Sequence, residues 1–138
     1  MTDVRTVHRR GPAVVALGGG HGLSASLSAL RLMSDRLTAV VTVADDGGSS
    51  GRLRMALAAL CDESDWGRLW RDVLQHRFHS HGSMNEHAVG NLLITALWEI
   101  LGDPVAGLDW VGRLLGARGR VLPMASVPLD IEADISSP

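Results

Sequence analysis

The stretch Val14–Leu27, "VVALGGGHGLSASL", passes from a short apolar run into four glycines within five positions, then into leucines spaced by serines. Val14–Leu17 is wholly apolar, contains valine and stops at Gly18, which predicts a parallel strand covered on both faces. Leu23, Leu27 and Leu30 fall at i, i+4 and i+7, the spacing of one helix face, with Ser24, Ser26 and Ser28 turned away from it. Further on, "RLTAVVTVADD" supplies a second strand over Thr38–Ala44, rich in β-branched residues and ended by two aspartates and two glycines. Strand, helix and strand make a βαβ unit, whose crossover is nearly always right-handed.

Beyond this unit the pattern is helical. Met55–Leu60 is a short run of good helix formers, and Trp66, Leu69, Trp70, Val73 and Leu74 mark the apolar face of another helix. A third helix is expected over Asn91–Leu101. Asp103-Pro104 reads as a helix start, with an acceptor at the N-cap and proline in the first turn, and the face Val105, Leu108, Val111, Leu115 runs until Gly116 and Gly119. The segment "RVLPMASVPLDIEADI" predicts a further strand region in which Leu129, Ile131, Ala133 and Ile135 alternate with polar positions, as at a half-exposed edge. The resulting expectation is an α/β fold: a truncated Rossmann-like parallel sheet flanked by helices over residues 13–138, after an N-terminal tail of residues 1–12.

Composition narrows the function classes. The 138 residues suffice for one domain with a real core. A formal charge of -2 gives no basic footprint for a nucleic-acid backbone. All 13 basic residues are arginine. Without lysine there is neither a phosphate-loop lysine nor a Schiff-base nucleophile, so an anion must be held by backbone N–H groups, helix termini or arginine forks. The single cysteine, Cys61, cannot form an internal disulfide, and its acidic neighbours Asp62 and Glu63 argue against a reactive thiolate. No apolar run approaches the ~20 residues of a membrane span and the N-terminus lacks a secretory pattern, so no membrane span and a cytoplasmic location are expected.

A strand that ends in glycines and runs into a helix presents unpaired N–H groups and a positive helix terminus at the carboxyl edge of its sheet. Gly18, Gly19, Gly20, His21 and Gly22 fit that role, because glycine lets an anion approach the backbone within hydrogen-bond distance. The spacing matches neither G-x-G-x-x-G nor the Walker pattern, and a tight turn that merely packs helix on strand is the plain alternative. The second strand ends beside it in "TVADDGGSSGRLR". Asp45 and Asp46 point to opposite sides if the strand continues through them, so at most one faces the crevice, where it can accept from a ribose hydroxyl or hold a divalent cation such as Mg2+. Gly47, Gly48, Ser49 and Ser50 add a second anion-cradling backbone, followed by the guanidinium forks of Arg52 and Arg54. On this reading Gly20→Val weakens binding strongly and leaves folding largely intact.

"GGGHGLSASLSALR", "LTAVVTVADDGGSSGRLR" and "HAVGNLLITALWEI" together closely resemble the gluconeogenesis-factor (YvcK-like) family within the CofD-like superfamily. The resemblance runs from about Gly11 to the last residue, and "TVADDGGSSGRLR" is its most specific element. It implies a Rossmann-related nucleotide-binding protein: on the YvcK-like side a regulator that binds UDP-sugars and affects carbon metabolism, cell shape and envelope synthesis, on the CofD side a 2-phospho-L-lactate transferase of deazaflavin coenzyme synthesis. The string "ADDGGSSGRLR" favours the former. Carried over by position, the resemblance implies that Gly18–Leu23, including Leu23, and Asp45–Ser50 line the nucleotide site and that Asn91 contributes from the "GN" opening a helix; a simple helix cap is the alternative for Asn91. No cofactor is fixed by the sequence: a UDP-sugar or an NAD-like nucleotide is the expected ligand, with Mg2+ as a companion ion.

Three departures accompany the resemblance. Relatives commonly carry a Leu-Pro-Pro-Gly-Asp string where Arg54 here runs directly into Met55; they usually have a glycine where Glu86 precedes His87; and they are about twice as long. An NAD-binding module meets only one of its two requirements, the acidic strand end. His76, His79 and His81 lack both cysteine and helical register and read as surface histidines, with no metal site. Trp66, Trp70, Trp98 and Trp110 read as core residues, with a stacking platform or a homo-oligomer contact as the alternative.

Overall fold

The computed structural model describes residues 11–43 and 49–127. Three parallel strands form one sheet in the order β1-β2-β3: β1 (Val14–Gly18), β2 (Leu37–Val41) and β3 (Arg120–Pro123). Helix α1 (Gly20–Leu30) connects β1 to β2, and α2 (Ser49–Ala59), α3 (Asp65–Gln75), α4 (Val89–Leu101) and α5 (Pro104–Leu115) lie between β2 and β3 in the chain. The parallel α/β architecture is therefore as the sequence predicts.

Register explains the layering. Ala16, Ala39 and Val121 are in line across the sheet, as are Leu17, Val40 and Leu122 one residue further on. The first row faces the helices with Val14, Leu37 and Val41, joining a core that includes Leu27, Leu53, Leu57, Ile94, Leu108 and Leu115. The second row points away, and Val15 and Leu17 are 65% and 74% exposed. The expectation of a first strand buried on both faces is thus corrected. Strands ordered 1-2-3 and joined by two crossovers of the same hand send their connecting helices to one side, so among the described residues the other side of β1 has no helix over it.

Helix ends follow local chemistry. The Asp103 side chain caps α5, accepting from the Val105 N–H at 2.9 Å, with Pro104 in the first turn, and Gly116 ends the helix in the left-handed conformation at φ 60°. Ser64 caps α3 by accepting from the Gly67 N–H at 3.0 Å. The second strand, expected over Thr38–Ala44, spans Leu37–Val41, and two helix boundaries also differ from expectation. Helix α2 begins at Ser49 and passes unbroken through Arg54 and Met55, so the serines and arginines expected in a loop are helical. Helix α4 begins two residues before Asn91, at Val89, where the Val89 N–H donates to the His76 carbonyl at 2.9 Å. Leu74 is buried as the α3 pattern predicts, whereas Trp66 and Leu69 of the same predicted face are exposed. The alternating segment Leu129, Ile131, Ala133, Ile135 lies outside the described residues.

Candidate functional site

The glycine run sits at the carboxyl edge of β1. Gly18 has φ +149° and Gly20 φ +65°, both in the region that favours glycine, and between them Gly19 is the N-cap of α1 with no side-chain cap. Gly19 is also a point of close approach, since a Cβ there would lie 2.7 Å from Thr42 Oγ1 and 3.2 Å from Arg52 Cδ. That contact brings the first loop against the end of β2 and the first turn of α2, as the adjacent-strand reading requires. The Thr42 N–H continues the ladder by donating to the Gly18 carbonyl at 2.8 Å.

Around Gly20 and Gly22 the space is open: a Cβ on either would meet nothing within 4 Å. His21 is exposed in the first turn of α1 rather than in a free turn. Leu23 turns into the core, so its side chain packs the helix onto the sheet and only its backbone remains for a ligand. The positive φ of Gly20 changes one sequence-based expectation. Valine at position 20 would be strained whatever the space around it, so Gly20→Val disturbs folding as well as binding. Gly22 carries no such constraint, and Gly22→Val isolates the steric effect.

Asp45, Asp46, Gly47 and Gly48 lie outside the described residues. Ser49 and Ser50 open α2 and line a cleft of about 380 Å³ beyond the ends of β2 and β3. Its walls include Val43, Leu53, Thr95, Trp98, Pro104, Pro123 and Ser126, mostly apolar with a few hydroxyls, as small-molecule sites usually are. From α4 the sequence pointed to Asn91, whereas Thr95 and Trp98 of that helix line the cleft, and the contributions of α5 and of the segment after β3 were not anticipated. Thr95 carried only a generic amphipathic signal and Trp98 that of a core residue with a stacking platform as the alternative, and their place over the sheet edge depends on how α4 packs against α2.

Arg52 and Arg54, read together as phosphate-facing forks, separate in the structure. Arg52 lies against Gly19, while Arg54 is buried and its Nη1 donates to Asn91 Oδ1 at 3.1 Å. Asn91 is therefore not the cap of α4; Ala88 occupies that position and offers no side-chain acceptor. His76, His79 and His81 are exposed, and among the described residues no three His, Cys, Asp or Glu side chains gather as a metal site. Cys61 is fully buried; burial pushes its thiol up to about 11, with the neighbouring Asp62 a smaller contribution in the same direction.

With this geometry established, comparison with known proteins gives the family. The family model described as 2-phospho-L-lactate transferase CofD matches residues 14–137. The chain belongs to the CofD family. A Mycobacterium leprae protein is 56% identical over 137 residues, covering 91% of this chain and 38% of that protein. The gluconeogenesis factor of Bacillus subtilis is 38% identical over 133 residues, covering 90% of this chain and 42% of its own length. A crystal structure of a Bacillus halodurans protein superposes with TM-score 0.74 at 37% identity, covering 86% of this chain and 41% of that one. The chain thus spans about two fifths of the length of these CofD-family relatives. Among the described residues no helix is long and apolar enough to cross a membrane.

Proposed function

We propose that this CofD-family chain binds the diphosphate of a nucleotide sugar, a UDP-sugar, at the carboxyl edge of its sheet, and that it acts in the cytoplasm as a non-catalytic regulator of carbon metabolism and of cell shape and envelope synthesis. The supporting observation is the Gly18–Gly22 loop: the start of α1 has no side-chain cap, glycine conformations set the turn, and the space beside Gly20 and Gly22 is open. Such a terminus offers N–H donors and a positive dipole end to a pyrophosphate. The cleft lined by Ser49, Ser50 and Trp98 gives the remainder of the ligand a partly apolar wall. Asp45 or Asp46 would receive a ribose hydroxyl or Mg2+.

A second reading comes from the description of the matching family, 2-phospho-L-lactate transferase. Calorimetric titration with UDP-N-acetylglucosamine, GDP and NAD, with and without magnesium, separates the readings. UDP-sugar binding without turnover is expected. Magnesium-dependent GDP binding with turnover on a deazaflavin acceptor favours the transferase instead. Gly22→Val should lower the affinity for the bound nucleotide at least tenfold with an unchanged circular dichroism spectrum, because its side chain fills space that the protein leaves empty. Normal nucleotide binding by this variant would remove the glycine loop from the site.

A further inference from the structure

A hollow of about 230 Å³ lies between α1, α2 and α3 and shares no residue with the glycine loop or with the cleft at the sheet edge. Its floor is Ala58 and Ala59 at the end of α2, where two methyl side chains leave a gap between the flanking helices. The walls are polar: Ser24, Ser28 and Arg31 come from α1 and its C-cap, and Arg71 and Gln75 from α3.

The two arginines differ in how they are held. Arg31 is fixed, since its Nη1 donates to the Cys61 carbonyl at 2.6 Å, its Nη2 pairs with Glu63, and its side chain is only 13% exposed. Arg71 is loosely held. Its ion pair is with Asp72 on the same helix, whose Oδ1 stands 3.8 Å from Nε, too far for a hydrogen bond, and whose side chain is largely exposed. Among the described residues the Arg71 guanidinium has no hydrogen-bond acceptor. The Ser28 hydroxyl donates to the Ser24 carbonyl at 3.0 Å, whereas the Ser24 hydroxyl and the Gln75 amide have no partner among the described residues.

We propose that this hollow is a second binding site, which takes a small phosphorylated or carboxylated metabolite by its oxyanion. A guanidinium fork matches carboxylate or phosphate oxygens, and here Arg71 has its N–H groups unengaged beside a hydroxyl and a carboxamide that can donate to the same group. Arg31 adds a charge already set in place. The competing contact with Asp72 is weak, because an exposed ion pair without a hydrogen bond contributes little. The site stands on α1, α2 and α3 and does not require the nucleotide reading of the glycine loop.

Titration of the chain at constant ionic strength with inorganic phosphate, and separately with acetate, tests it by NMR at the Arg71 Nε–H, the Gln75 side-chain amide and the Ser24 backbone amide. Saturable shifts at these three groups are expected with at least one of the two anions and not with chloride, and the tighter anion distinguishes a phosphate from a carboxylate source. Arg71→Ala should weaken binding at least tenfold with a melting temperature close to that of the unaltered chain, because its guanidinium has no hydrogen bond in the protein to lose. Asp72→Asn should tighten binding at least twofold, since it removes a carboxylate that competes for Arg71 and repels the ligand. Arg68→Ala, on α3 but outside the hollow, should leave the shifts in place. Shifts that do not saturate, that survive Arg71→Ala undiminished or that Asp72→Asn fails to strengthen overturn the site. Shifts confined to Gly19–Gly22 also overturn it while leaving the nucleotide reading standing.

Discussion

Glu86 is the one non-glycine residue with positive φ among the described residues, at 63°. It precedes His87 at the position where the family resemblance leads one to expect glycine, so the strained conformation and the unusual residue coincide. The conformation is held from both sides: the Glu86 N–H donates to the Phe78 carbonyl at 2.8 Å, and its own carbonyl accepts from Arg77. A left-handed residue with a Cβ costs roughly 1–2 kcal/mol, partly offset by the lower chain entropy of a non-glycine in the unfolded state. Glu86→Gly is therefore expected to leave stability unchanged or raise it by up to about 1 kcal/mol. Met84→Gly, in the same loop but without positive φ, should lower it by about 0.5–1 kcal/mol. Paired urea denaturations measure both. The departure at Glu86 was visible in the sequence, but its conformation was not, because φ there is imposed by the turn from Phe78 to Ala88.

Elements meet at Asp62, between α2 and α3. Its Oδ1 accepts from the Ser64 N–H at 2.9 Å and from the Ser64 hydroxyl, and that hydroxyl in turn caps α3. Glycine at 67, in the first turn of α3, and at 116, ending α5, leaves room for the Asp62 side chain; a Cβ on either would collide with the carboxylate. The Ser64 hydroxyl and N–H are the chief reasons the Asp62 carboxyl titrates below its usual 3.8. Because the folded value is the lower one, the contribution is complete above about pH 4 and is lost as pH falls through the folded pKa. Asp62→Asn should reduce stability at neutral pH by about 1 kcal/mol or less and flatten the acid limb below about pH 4, read from urea midpoints at several pH values. A limb as steep as that of the unaltered chain would assign the acid sensitivity elsewhere. Helix ends of this kind were unevenly readable. Asp103-Pro104 and Gly116 announced α5 correctly because caps are local, whereas α2 was read too short because Ser49–Arg54 carries glycine and serine that favour loops in isolation. Packing of Leu53 and Leu57 into the core overrides that preference.

Across the whole molecule, the parallel sheet and the place of the glycine loop at its carboxyl edge follow from the alternation of short apolar runs and helical patterns, and from glycines that stop a strand. Coverage of β1 did not follow. An uninterrupted apolar run such as "VVAL" looks alike whether one or both faces are covered, and the side taken by the crossovers is a property of the complete topology. The cleft was equally hidden, since residues from α4, α5 and the segment after β3 reach it only once α4 has packed on α2. Arg54 was noted for its guanidinium but not for its burial, which goes with the close approach of its side chain to Gly90 of α4.

Cys61 has 0% exposure and a thiol raised to about 11, in the segment that follows α2, with Sγ donating to the Leu57 carbonyl at 3.7 Å. A thiol both sheltered and protonated makes the only cysteine in the chain a built-in clock for structural opening. Disulfide-exchange reagents should label it at a rate that climbs with urea as steeply as global unfolding does, so the labelling rate reports how often the helical layer lifts from the strands. Rapid labelling in water, insensitive to urea, would instead mark the joint after α2 as a place that opens alone.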